Sequence, residues 1–394
     1  MRPLTLFGIM ISMVTGIALG IIGFRAWLNE GLPHDAHGRA FEEVLRHVHA
    51  NYVDEVDKQA LVNSALNGML KQLDDHSLFL DTRDYRDLQA ETSGHFGGIG
   101  IEVGLEDDLF TVIAPIDDTP AARAGLVAGD RIIAIDQQPL KGQKLVDVVN
   151  QLRGVPGTPV SLRLQRDGAV REVDLVRQVV AVKSVKARLL EPGYGYVRIS
   201  VFQMNTGQAF EAALKQLRRD SGGQLDGLVL DLRDNPGGVL QASVAVTDAL
   251  LDAGLIVYTD GRLASSKLRY RAARGDLLDA APIVVLINEG SASAAEIVAG
   301  ALQDHGRATV MGSRSYGKGS VQSVVPVTGN QAIKLTTAYY YTPSGRSIHR
   351  SGIIPDLPLP REQETREAFD ARLLDDAVAL LKQRSADRLH ARLL

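Results

Sequence analysis

From Gly193 onward, short apolar runs alternate with segments whose apolar residues recur every three or four positions. The runs Tyr196–Ile199, Gly227–Leu232, Ile256–Tyr258, Ile283–Ile287, Thr309–Met311 and Ala332–Tyr341 predict strands. The periodic segments Thr206–Leu217, Leu240–Leu251 and Ser293–Gln303 predict helices. Strand–helix alternation of this kind implies a largely parallel sheet with crossover helices. The preceding block has another texture. Glycines interleave with apolar residues over Gly94–Val103, and strands are expected at Phe110–Ile116, Arg131–Ile135, Val160–Gln165 and Val170–Val176. Two helical pieces interrupt them, at Pro120–Ala124 and Lys144–Arg153. Nearer the N-terminus, Ala40–Leu73 reads as helical, and a further helix is expected over Asp84–Gln89. The tail from Arg361 is charged and amphipathic, with Leu373, Leu374, Ala377, Leu380 and Leu381 on one face.

The first residues differ from everything after them. Leu4–Phe24 is uncharged and long enough to span a bilayer as a helix. Arg2 ahead of it gives a slight bias toward an N-terminus in the cytoplasm, with the body across the membrane. A cleaved signal peptide is the alternative. It is disfavoured because the apolar core is long and the small-residue site, Ala18-Leu19-Gly20, sits inside that core. The remaining composition is that of an ordinary globular protein: 394 residues, 45% hydrophobic and 23% charged. A net charge of −4 argues against a general nucleic-acid binder. With no cysteine, the chain has neither a disulfide framework nor thiolate chemistry.

Candidate chemistry concentrates in three segments. In "VLINEGSASAAEIVAG" an apolar strand opens into a helix through small residues, and Ser293 stands at the junction. Ser293-Ala-Ala-Glu296 also fits a helix capping box, so the spacing alone leaves two roles open, cap or nucleophile. None of the nine histidines sits where a histidine base would be expected. The candidate base is Lys318, between two glycines in "GSRSYGKGSVQS", with Gln322 four residues on and able to share its face. An ordinary lysine, with a pKa of about 10.4, is a poor base at neutral pH; burial would lower that value. A solvated loop lysine is the competing reading. The third segment, "LVLDLRDNPGGVL", runs from a strand through Asp234–Gly238 into a helix. The amide of Gly238, with that of Ala294, could donate to a developing oxyanion; a plain Pro-Gly-Gly turn is the simpler alternative. There is no HExxH or P-loop pattern, so no metal or nucleotide cofactor is expected.

Taken in order, "NYVDEVD", "SGHFGGIGIEV", "LDLRDNPGG", "GSASAAEI", "YGKGSVQ" and "YYTPSGRSI" resemble the C-terminal processing peptidases, serine proteases of bacteria and plastids. The resemblance implies Ser293 as nucleophile, Lys318 as general base and Gln322 as its support. The one departure noted is His349, where many members carry glutamine. The glycine-rich block, with "DTPAARAGLVAGDRIIAIDQQPL", resembles a PDZ domain. Gly98, Ile99, Gly100 and Ile101 would form its carboxylate-binding loop; Val146 and Val149 could line the peptide pocket, with simple core packing the competing reading; and Arg153 is a candidate for linking ligand binding to the active site. The expected architecture is an α/β protease body (181–358) with an inserted PDZ domain (93–180), an N-terminal helical region (36–92), a membrane anchor or signal segment (1–30) and a helical tail (359–394). The implied partners are protein or peptide substrates with apolar C-termini, further copies of the chain, and the membrane; an adaptor or activator protein is compatible with this. The body is expected in the periplasm or otherwise outside the cytoplasmic membrane.

Overall fold

The computed structural model describes residues 36–106, 109–116, 118–273, 275–359 and 365–393. The Leu4–Phe24 run lies outside the described residues. Among those described, no helix is long and apolar enough to cross a membrane. The chain divides into two compact units between Phe79 and Leu80.

The first unit holds α1 (Ala36–Asn51) and α2 (Lys58–Lys71). The sequence predicted one helical stretch over Ala40–Leu73; the structure breaks it at Tyr52–Asp57. The apolar spacing runs on across the break, but Asp57 accepts the Gln59 N–H at 2.8 Å and starts a new helix there. Strand β1 (Leu78–Leu80) follows.

The second unit begins with α3 (Thr82–Ser93), longer at both ends than predicted. Asp81 caps its first turn through the amides of Arg83 and Asp84, and Gly94 ends it in a left-handed conformation. Strands β2 (His95–Gly98), β3 (Ile101–Glu106) and β4 (Leu109–Pro115) come next, then α4 (Pro120–Arg123), β5 (Arg131–Ile135), β6 (Gln138–Pro139), α5 (Leu145–Leu152), β7 (Pro159–Arg166), β8 (Ala169–Val176) and β9 (Gln178–Ala181). The sheet runs β3-β4-β5-β7-β8, so β3 is an edge strand. Its inner face and α5 bury Ile99, Val112, Ile132, Val148, Leu162 and Leu164. Buried Asp130 ties the far side together through Arg166, at 2.5 and 2.7 Å. The β2–β9 ribbon leads into and out of this module.

The body contains β10 (Val185–Glu191), β11 (Tyr194–Ile199), α6 (Thr206–Asp220), β12 (Gly227–Asp231), α7 (Leu240–Asp248), β13 (Gly254–Asp260), β14 (Arg269–Ala272), β15 (Ile283–Ile287), α8 (Ala294–Asp304), β16 (Ala308–Gly312), β17 (Ser320–Pro326), β18 (Ala332–Tyr341), β19 (Leu357–Pro358) and α9 (Arg366–Leu393). Strands β11, β12, β15, β16 and β19 are parallel neighbours, and β10 closes one edge antiparallel. Every residue of β12 and β15 is buried, as expected of a parallel sheet covered on both faces. Leu214, Val246 and Val298 from α6, α7 and α8 pack on one face. The other is covered by α9 through Leu373, Ala377 and Leu381, four residues apart and so on one side of the helix. Burial of each of these leucines is worth about 1.5–3 kcal/mol. The strands predicted at Ile256–Tyr258 and Ala332–Tyr341 form, but in a second, antiparallel sheet with β14 and β17. The mostly half-buried residues of β18 fit that outer position.

Candidate active site

Two strand ends of the parallel sheet meet at the site. Strand β12 runs into the Asp234–Gly238 turn, and β15 into the Asn288–Ser293 loop. Side chains stitch the two together. Asn288 accepts the Asp234 N–H (2.8 Å) and donates to the Asp234 carboxylate (2.9 Å). Ser291 Oγ donates to the carbonyl of Leu232 at 2.8 Å, and the Ala292 N–H donates to the carbonyl of Asn235 at 2.8 Å. Asn235 is wholly buried; its side chain donates to the carbonyl of Ile199 (2.8 Å) and accepts the Gly237 N–H (2.9 Å). These links fix the turn against the serine.

Ser293 precedes α8 with φ 55° and ψ −114°, outside the extended conformation of an ordinary N-cap residue. The Ser293 N–H donates to Glu296 Oε2 at 2.7 Å, as the capping-box spacing leads one to expect, and its hydroxyl lies beside that of buried Tyr340. The positive φ of Ser293, which an ordinary N-cap residue does not adopt, favours a chemical role beside the capping one. Gly237, at φ 101°, lies against it: a Cβ there would stand 2.6 Å from Ser293 Cβ and 2.9 Å from the Ala294 nitrogen. The amides of Gly238 and Ala294 donate to no group among the described residues. They are the two amides named from sequence; Gly238 is exposed and Ala294 buried.

Glu296 is the residue whose role the spacing understated. It has no exposed surface. Oε2 accepts the amides of Ser293 (2.7 Å) and Lys318 (2.9 Å), so the two backbone nitrogens lie within the sum of these distances of each other. Oε1 accepts Ser315 Oγ (2.6 Å) and the Gly317 N–H (2.7 Å). Burial pushes its carboxyl above the ordinary value against the pull of these four donors. One carboxylate thus holds the candidate nucleophile and the candidate base.

Lys318 is half-buried, and its amine forms no ion pair among the described residues. Burial, and then the charge of Lys334, lower its pKa; Glu296 opposes them. Gly319 lets the next backbone through: a Cβ there would stand 2.4 Å from the His349 nitrogen. Gln322 lies on β17, and its amide nitrogen donates to Ser320 Oγ (2.9 Å) and Thr336 Oγ1 (3.3 Å). No hydrogen bond joins it to the Lys318 amine. Tyr340, unnoticed in the sequence, is buried beside Ser293 and Glu296, and its hydroxyl makes no well-formed hydrogen bond. Burial drives its phenol well above the ordinary value.

A second group of predicted residues lies in the PDZ-like module. Gly98 pairs with Gln178, Ile99 is core, and Gly100 takes φ 79° with its carbonyl accepting the amide of Ile116 at 2.9 Å. The amides of Ile99 and Gly100 donate to no group among the described residues. Ile101 opens edge strand β3. Val149 is half-buried, while the side chain of Val146 lies outside what the structure describes. Arg153 ends α5 with its guanidinium 5.0 Å from the centre of the Phe96 ring. Both line a groove of about 1100 Å³, together with Arg86, Val155, Val179 and Met204. Of the predicted PDZ positions whose side chains are described, Arg153 lines it.

A parallel-sheet body with a serine held at positive φ in a strand-to-helix turn, beside a PDZ module, defines a class: a serine-type peptidase with a peptide-recognition domain. Residues 193–359 match peptidase family S41, and residues 97–176 match the PDZ domain. The chain is 48% identical over 340 residues to a carboxy-terminal-processing protease of Bartonella bacilliformis, covering 84% of this chain and 77% of the relative. It is 36% identical over 341 residues to a carboxyl-terminal-processing protease of Picosynechococcus, with 82% and 81% covered. A Bacteroides fragilis structure described as an S41 protease superposes with a TM-score of 0.51 at 18% identity, covering 85% of this chain and 91% of that one, a likeness of fold alone. The chain belongs to the carboxyl-terminal-processing peptidases of family S41.

Proposed function

We propose that the protein cleaves polypeptides near their C-termini with a Ser293–Lys318 dyad. The observation that carries this reading is the single oxygen of Glu296 that holds the amides of both residues. The neutral amine of Lys318 takes the Ser293 proton as Oγ attacks a peptide carbonyl. The amides of Gly238 and Ala294 receive the oxyanion. The ammonium returns the proton to the leaving amine as the C–N bond breaks. Water, deprotonated by the same amine, then releases the acyl group and restores Ser293. Gln322 supports Lys318 once substrate closes the site.

The PDZ domain captures an apolar C-terminus. The open amides of Ile99 and Gly100 take the carboxylate, with Gly98 and Ile101 shaping the loop, and the free edge of β3 pairs with the peptide. From there the chain passes along the groove lined by Phe96, Arg153 and Met204 toward the body, and Arg153 senses its arrival. The enzyme is exported and held at the membrane by Leu4–Phe24, and works as an oligomer with or without an adaptor.

The test is cleavage of an unfolded protein ending in apolar residues. Ser293→Ala and Lys318→Ala each abolish cleavage under this reading, and amidating the substrate's C-terminus raises KM. Parent-rate cleavage by Lys318→Ala refutes the dyad; unchanged KM with the amide refutes capture by the PDZ loop.

A further inference from the structure

The C-terminal helix α9 reaches the site through charge. Asp231, the last residue of β12, has no exposed surface. Its Oδ2 accepts from Tyr196 Oη (2.7 Å), Arg198 (3.3 Å) and Arg233 Nη2 (2.7 Å), and its Oδ1 from the Arg233 amide (3.0 Å) and Nε (2.9 Å). Burial works to raise this carboxyl, but the hydrogen bonds and charge of Arg233 outweigh it and hold it below the usual range. The remaining Arg233 nitrogen, Nη1, reaches out of the sheet and binds Asp370, in the second turn of α9, at 2.5 Å. The side chain of Arg233 is 8% exposed and that of Asp370 40% exposed. The path therefore runs from a surface helix, through two charged groups, to the residue that begins the Asp234–Gly238 turn.

What lies under that turn makes the path matter. A cavity of about 480 Å³, lined by Arg233, Asp234, Asn288, Glu289, Phe369 and Asp370, separates the turn and the serine loop from α9. Close-packed side chains do not back the turn on this side, so its position rests on directional polar links. Leu232 and Asn235, on either side of Arg233 and Asp234, carry the bonds from Ser291 and Ala292, so a shift at Arg233 strains the links that set the Gly238 amide against the serine.

We propose that Asp370 is a positioning residue of the peptidase: by fixing Arg233 it holds the oxyanion turn in its working place, so the docked C-terminal helix is part of the active-site support. This rests on the assignment of Ser293 and Gly238 above. It gives the helix a role beyond covering the sheet.

The test uses the full chain with Asp370→Ala, Asp370→Glu and, as a control on the same helix, Lys382→Gln, which breaks the Lys382–Glu191 pair (2.6 Å) far from the turn. Kinetics are read with a fluorogenic peptide, and the rate of covalent labelling with a fluorophosphonate, which needs both the serine and the oxyanion amides. Asp370→Ala is expected to lower kcat and the labelling rate together by about tenfold, with KM within twofold. Asp370→Glu restores most of the loss, and Lys382→Gln leaves both rates at the parent level. The proposal is overturned by parent rates in Asp370→Ala, by an equal loss in Lys382→Gln, or by a fall in thermal midpoint that tracks the loss across all three variants. Labelling of the parent at a residue other than Ser293 would overturn the dyad instead, a separate result.

Discussion

Glu296→Gln probes the joint between nucleophile and base. The side chain keeps its shape, but one oxygen becomes an amide nitrogen facing two donors. At Oε2 it would oppose the amides of Ser293 and Lys318, neither of which can turn. At Oε1 it would oppose the Gly317 N–H and Ser315 Oγ. The hydroxyl can rotate to accept, although it already accepts the Ile353 N–H at 2.6 Å. The second placement is the milder. It loses the Gly317 bond outright and turns the remaining contacts from charged to neutral. Bonds to a charged partner are worth about 1.5–3 kcal/mol and neutral ones about 0.5–1.5. One full loss and two weakened bonds come to roughly 3–5 kcal/mol, a large part of the 5–15 kcal/mol typical of a domain. A fall of several degrees in the thermal midpoint should follow. Because misplacing a reacting group by about 1 Å can cost about 100-fold, kcat should fall at least that far. Scanning calorimetry and peptide-cleavage kinetics on parent and variant read the two effects. A variant that melts with the parent and retains its kcat would refute the claim that this carboxylate organises the dyad.

Two further outcomes follow from the same geometry. The folded chain holds the Lys318 amine below its ordinary pKa, so its protonated form is worse off folded than unfolded; that cost is present below the folded pKa and vanishes above the unfolded value near 10.5. Lys318→Met should therefore be inactive yet melt higher than the parent at pH 7, with the gap closing toward pH 10; an equal or lower midpoint at pH 7 would count against a desolvated amine. Gly237→Ala puts a methyl 2.6 Å from Ser293 Cβ at a φ of 101°, so cleavage should fall more than about 100-fold, with about 1–3 kcal/mol of stability lost. Parent kinetics in this variant would show that the turn has room to move.

What could be read from the chain beforehand was local. Ser293, Lys318 and the Asp234–Gly238 turn each announce themselves within a dozen residues, because small residues and glycines in otherwise apolar surroundings are unusual. The partners that organise them are remote. Glu296 was visible as half of a capping box, yet its bond to Lys318 crosses 22 positions. Arg233 meets Asp370 across 137, and the sequence hint, two charges at the end of an apolar strand, names no partner. Gln322 shows another limit of spacing: its amide turns to Ser320 and Thr336, and the second of these is a cross-strand partner that the count from Lys318 does not name. The break at Tyr52–Asp57 was missed for a related reason, since apolar periodicity can run through a helix end that only a capping aspartate marks.

Two wholly buried carboxylates divide the support of the site. Glu296 holds the amides of the proposed nucleophile and base, and Asp231 anchors the strand end from which the Asp234–Gly238 turn departs. Each accepts donors from segments apart in the chain: Glu296 from the start of α8 and the β16–β17 loop, Asp231 from β11 and Arg233. An ionised group without surface is expensive unless every lone pair is used, which makes both carboxylates intolerant of partial assembly.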